Sequence, residues 1–171
     1  LGYQSAQALL DAGLLTDEGD LFDLTEEKLS KTDFFTTKSG ALSANGAKLL
    51  ANLEAAKTRP LDKFLVALSI RHIGKGVAPD VAAAFGDIDA LGNAAPADLA
   101  KVEGIGPTLV TAIIDWFAEP WHREIVVKWK AAGCVMRSEP KQTREQTLSG
   151  LSVVVTGSLE GYTRDLAAEA I

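Results

Sequence analysis

The sequence predicts a mainly α fold built from a repeated helix–bend–helix unit, followed by a linker and the start of a smaller βα domain. Three observations carry this reading. Helix signals run almost unbroken to about Met136. A spacing of 32 lays "HIGKGVAPDVAAAF" (His72–Phe85) over "GIGPTLVTAIIDWF" (Gly104–Phe117). After Met136 the composition changes, first to a polar stretch and then to a β-branched run.

In chain order, "SAQALLDAG" has leucine and alanine at helical spacing and stops at Gly13. "LTEEKLS" offers Thr25 as an N-cap, with Glu26 and Glu27 in the first turn, where carboxylates oppose the helix dipole. "GAKLLANLEAAK" is amphipathic. Pro60 stands where a first helical residue belongs, before "LDKFLVALSI". "APDVAAAFG" ends at Gly86, Asp87 caps "IDALG", and Pro96 opens "ADLAKV". "TLVTAIIDWFA" ends before Pro120, and "WHREIVVKWKAAG" ends at Gly133, a favourable residue after a helix. The helical domain is expected over 1–136. Residues 137–149, polar and with a proline, read as a linker. Residues 150–171 open with "LSVVVTGSLEG", a buried-strand pattern, then begin a helix; one strand and part of a helix cannot bury a core, so this domain is expected to be truncated.

The spacing extends backwards. Gly74 falls on Gly106, Ala78 on Val110, Ala82 on Ile114 and Phe85 on Phe117; one step further, Gly40 falls on Gly104, but Leu42 replaces the second glycine. The opening "LGYQSAQALL" matches "IGPTLVTAII" in residue type, with Gly2 on Gly106. Four copies are expected, two of them degenerate or cut.

The chain has 171 residues, 47% of them hydrophobic, sufficient for one generous domain, or for one domain plus part of a second. No segment reads as a signal peptide and the apolar runs are short, so a soluble cytoplasmic protein is expected. Cys134 is the only cysteine, which excludes a disulfide framework and a cysteine-rich zinc site and reads as a small buried residue. The net charge of −6 argues against a uniformly basic nucleic-acid binder. The charge is uneven, however. The acids from Asp11 to Asp33 account for all of it and read as a solvated face without calcium-loop spacing, while Lys57, Arg59, Lys63, Arg71 and Lys75 face only Asp62.

The chemistry is expected at the bends. Two glycines flanking an apolar residue permit positive φ and strip side chains from the outer face. The next helix then starts with unpaired N–H groups directed outward, an anion site that needs no lysine. On DNA such a site holds phosphate without reading sequence. The candidate contacts are Gly2, Gly104, Gly106, Pro107 and Thr108, together with Arg71, His72, Gly74, Lys75, Gly76 and Lys101. A helix–helix turn without a ligand is the competing reading. A dinucleotide loop is disfavoured, because the third glycine is missing and a helix, not a strand, precedes the bend. His72 and His122 lack local metal or catalytic partners and read as structural, although His72 sits at a bend. Trp116, Phe117 and Trp121 read as a core and edge cluster. No nucleophile–base pair or carboxylate dyad is visible, so no catalytic residue, cofactor site or metal site is expected in this chain.

These bends resemble helix-hairpin-helix motifs. In their order, "LGYQSAQALLDAGLLTDEGDLFDLT", "FLVALSIRHIGKGVA" with "AAFGDIDAL", "VEGIGPTLVTAIIDWF" and the tail "LSGLSVVVTGSLEGYTRDLAAEAI" resemble the C-terminal region of bacterial NAD-dependent DNA ligases, the tail resembling the start of a BRCT domain. The resemblance implies a monomeric, nucleoid-associated, non-catalytic region that grips nicked double-stranded DNA in replication and repair. It also implies that NAD, Mg and Zn are used by domains upstream of Leu1. The second copy, lacking its glycine, is not expected to hold phosphate directly, and roles for Thr156, Gly157 or Arg164 are in doubt in a cut domain. The alternative function is a protein-interaction adaptor, using the acidic face or the BRCT part, with the hairpins as packing turns.

Overall fold

A computed structural model describes residues 2–102 and 104–138. The expected linker and βα domain therefore lie outside the described residues, apart from the first two linker positions. The described helices are α1 (Tyr3–Asp11), α2 (Glu26–Leu29), α3 (Ala44–Ala56), α4 (Leu61–Ala67), α5 (Ala78–Phe85), α6 (Ile88–Gly92), α7 (Pro96–Leu99), α8 (Pro107–Ala118) and α9 (Pro120–Ala131). Two 3₁₀ segments, Glu18–Asp23 and Asp33–Phe35, complete the order. Among the described residues there is no strand, only isolated antiparallel bridges at Thr36–Leu42 and Asp87–Arg137. No helix among them is long and apolar enough to cross a membrane.

Local chemistry sets most helix limits. α1 ends in a left-handed Gly13 (φ +66), with the Leu14 N–H bonded to the Leu9 carbonyl at 2.9 Å. Thr25 caps α2 through the Lys28 N–H at 3.2 Å, and Asp87 caps α6 through the Ala90 N–H at 2.8 Å. Gly86 (φ +74) and Gly133 (φ +95) close α5 and α9. Pro60 is the N-cap of α4 rather than its first helical residue: at ψ 158 its backbone is still extended.

Two apolar clusters form the interior. One gathers Leu9, Leu24, Leu29 and Phe35. The larger runs from Leu61 to Met136 and is centred on residues such as Leu65, Val81, Ile113 and Trp129. Cys134 is buried in the larger cluster, as its composition predicted, and burial pushes its thiol up to about 11. Trp116 and Phe117 are buried while Trp121 is half exposed, which matches a core-and-edge cluster. His122 stacks on Trp116 with ring centroids 4.4 Å apart, and its Nδ1 lies 2.7 Å from the Trp116 carbonyl, a structural placement.

The acidic run departs from a purely solvated face. Asp17 and Asp20 cap the first 3₁₀ segment and turn inward to Lys128 of α9, whose Nζ lies 3.1 Å and 3.0 Å from them. Phe22 follows, its ring edge-on to Trp129 at 5.4 Å. At the other end, the Leu61 N–H bonds to the Arg137 carbonyl and the Ser138 N–H to the Gly86 carbonyl, so the chain beyond α9 laces α4 and the α5–α6 turn together.

Candidate nucleic-acid interface

The bends after α4 and after α7 share one hydrogen-bond plan, displaced by 32 residues. The first helices close the same way: the Leu68 N–H bonds to Phe64 O as that of Ala100 does to Pro96 O, and Ser69 to Val66 as Lys101 to Asp98. The bend closes with Ile73 to Ile70 (2.9 Å) and Ile105 to Val102 (3.0 Å). The next helix opens with the Gly74 carbonyl accepting from Val77 and Ala78, and the Gly106 carbonyl from Leu109 and Val110. Ile73 and Ile105 are both buried, anchoring each bend to the core and leaving its outer edge to solvent.

Left-handed backbone recurs at the same interval: φ is +80 at Gly40, +70 at His72 and +82 at Gly104. In the bend of "RHIGKG" the positive φ is supplied by His72 and not by Gly74 or Gly76. The second glycine has another role. Gly106 is extended (φ −81, ψ 170) and is the N-cap of α8; Gly2 is the N-cap of α1 with nearly the same backbone (φ −89, ψ 168). Any residue adopts these angles. The spacing that pairs His72 with Gly104 was visible in the sequence, but composition gave no warning that histidine takes the strained position.

The surroundings of these glycines matter more. A Cβ added at Gly2, Gly74, Gly76 or Gly106 would meet nothing within 4 Å. By contrast, one at Gly92 would lie 2.9 Å from the Phe117 ring, one at Gly46 2.6 Å from Leu42, and one at Gly19 2.5 Å from Lys128. Gly19, Gly46 and Gly92 serve internal packing, whereas the bend glycines leave clear space outside.

The N–H groups behind that space differ between copies. α1 and α8 have no side-chain cap, because their N-caps are glycine; α5 has none either, with Val77 at its N-cap. α3, in the degenerate copy, starts one position later in register, and Ser43 Oγ accepts from the Gly46 N–H at 3.2 Å. That helix start is therefore satisfied internally.

The remaining candidates fall into two groups. Gly74, Lys75 and Gly76 are exposed around one bend with Arg71 and His72, and neither Arg71 nor Lys75 has an ion pair among the described residues. Gly104, Gly106, Pro107 and Thr108 are exposed around the other, where the local cation Lys101 is engaged by Asp98 at 2.7 Å. Arg71 also borders a cleft of about 430 Å³ that is walled by Asp115, Trp116, Glu119 and Trp121. No group of three or more His, Cys, Asp or Glu among the described residues could hold a metal ion. Residues 63–126, which run from α4 into α9 and contain both bends, match the family model of the helix-hairpin-helix motif, so the repeated bend is similar to a motif of that kind.

Proposed function

We propose that this chain grips duplex DNA without catalysing a reaction, holding phosphates on backbone N–H groups at the bends of Gly2, Gly74 and Gly106. Helix-hairpin-helix motifs bind DNA without sequence preference, which supports the reading for 63–126. The observation that carries it is the open space at Gly74 and Gly106: the fold needs glycine there neither for φ nor for packing. An outside group that must approach the backbone does. The net charge of −6 is no obstacle, because fixed N–H dipoles and a few local cations make the contact.

The four related units, three of them contacting DNA, extend this reading, as does a larger assignment. We infer that the chain belongs to a bacterial NAD-dependent DNA ligase, acting as a monomer in the cytoplasm on nicked duplex, with NAD, Mg and Zn used elsewhere in that protein. The ordered resemblance of the segments quoted above supports this. Two measurements test the levels separately. Fluorescence anisotropy with a nicked duplex of arbitrary sequence should show binding at low salt that weakens as salt rises, by roughly 0.9 in log K per log salt for each phosphate neutralised. Absent binding at low salt, or affinity indifferent to salt, would overturn the DNA reading. Fusing the chain to an NAD-dependent ligase core stripped of its own hairpin region should restore nick sealing; no gain from a fusion that still binds DNA would refute the ligase assignment alone.

A further inference from the structure

We propose that His72 is a phosphate-contacting side chain, and that it makes the two bends within 63–126 unequal: one grips with side chains as well as backbone, the other with backbone alone. The inference rests on the DNA reading above and deepens it.

The first observation is a cost without an internal return. The left-handed region crowds Cβ against the following carbonyl, a penalty for any residue other than glycine. At the same register the chain uses Gly40 and Gly104, which escape it. At φ +70, His72 accepts it. Its imidazole is exposed and makes no hydrogen bond, ion pair or ring contact among the described residues. Two other described residues are left-handed without being glycine, Ser69 (φ +54) and Met136 (φ +43), but Ser69 Oγ donates to the Ala67 carbonyl and Met136 is packed in the core. Of the three, His72 alone has a side chain with no partner among the described residues to set against the strain, and strain of this kind collects at functional sites.

The second observation is electrostatic. Residues 71–76 carry Arg71 and Lys75 and no acid, whereas 101–106 carry Lys101 and Glu103, which cancel. Among the described residues Arg71 and Lys75 lack ion pairs, although Arg71 shares its cleft with Glu18, Asp115 and Glu119, and Lys101 already has one. His72 stands between these two cations in sequence, and it is exposed where the next residue, Ile73, is buried. An imidazole N–H there adds a directional donor to a phosphate that Arg71 and Lys75 attract. The bend at Gly104 offers no equivalent, since its left-handed residue has no side chain.

The experiment compares His72→Gly, His72→Asn and Gly106→Ala by anisotropy on a nicked duplex, with thermal melting of each. Asparagine tolerates left-handed backbone and keeps an N–H donor. His72→Gly should melt no lower than the parent and bind about fivefold more weakly. His72→Asn should recover most of that loss, and Arg71→Ala with Lys75→Ala should lower the salt slope by about 2. Gly106→Ala should weaken binding with little change of slope. If His72→Gly binds like the parent while Gly106→Ala does not, the inference fails and the DNA reading stands. If neither variant changes binding, both fail. If both His72 variants melt lower and bind equally poorly, His72 is a structural residue and the inference is again overturned.

Discussion

Trp129 and Glu18 meet across most of the chain: the indole Nε1 donates to the Glu18 carbonyl at 2.8 Å. One residue earlier on α9, Lys128 holds Asp17 and Asp20. The first 3₁₀ segment is thus tied to the last described helix by an indole, an ammonium and the Phe22 ring.

Acid should loosen this joint. The Thr16 N–H, the largest influence, and then Lys128 hold the Asp20 carboxyl below the usual carboxylate range, against the opposing effect of burial. A depressed carboxylate contributes stability above its unfolded value of about 3.9, and that contribution is lost as pH falls through the lower folded value. Asp20→Asn should therefore melt below the parent at neutral pH, with the gap closing in strong acid. A gap that stays constant across the acid limb would show that Asp20 acts only as a cap. Hydrogen bonds from Lys128 to Asp20 and Asp17 hold its ammonium above the usual lysine range, so its share persists through neutral pH and disappears only in strong alkali.

Glycines should sort into two classes. Gly92→Ala drives a Cβ into the Phe117 ring and should cost about 1–3 kcal/mol in denaturant unfolding. Gly74→Ala and Gly106→Ala meet open space and should be neutral or stabilise by about 0.4–1 kcal/mol through the unfolded chain. Binding should invert this order, falling for the bend variants and holding for folded Gly92→Ala. Loss of stability in Gly106→Ala would mark the bend as a packing turn.

Neighbouring isoleucines provide an internal control. Ile113 is 1% exposed and Ile114 37%. Ile113→Ala should lose about 2–5 kcal/mol and Ile114→Ala about 0.5 kcal/mol or less. Similar losses at both sites would mean that α8 is turned differently about its axis.

Cys134 should be inert in the native protein. Its thiol, 5% exposed and raised by burial, is neutral at physiological pH, so a thiol-specific chromogenic reagent should react slowly until denaturant is added. Rapid native labelling would contradict the buried placement.

How much of this was legible in the sequence depends on where each feature gets its shape. Helix limits at Gly13, Gly86, Asp87, Pro107 and Gly133 come from the residues themselves, and all of them could be read. The 3₁₀ segments at Glu18–Asp23 and Asp33–Phe35 could not. The first is shaped by partners 108 to 111 positions away, and no local period marks Phe22 as an inward residue. At the candidate site, the exposed helix starts at Gly2 and Gly106 were legible because glycine cannot cap with a side chain. The left-handed residue in "RHIGKG" was not legible: glycine permits positive φ, but permission does not place it, and the register of the repeat puts His72 there.

The joint between Glu18 and Trp129 also bears on how the chain is made. During synthesis, Asp17 to Phe22 leave the ribosome more than a hundred residues before Lys128 and Trp129 exist to receive them. Leu9, Leu24, Leu29 and Phe35 can gather early, because their partners are close in sequence. Phe22 can meet Phe64 sooner, but its edge-on partner Trp129 emerges much later.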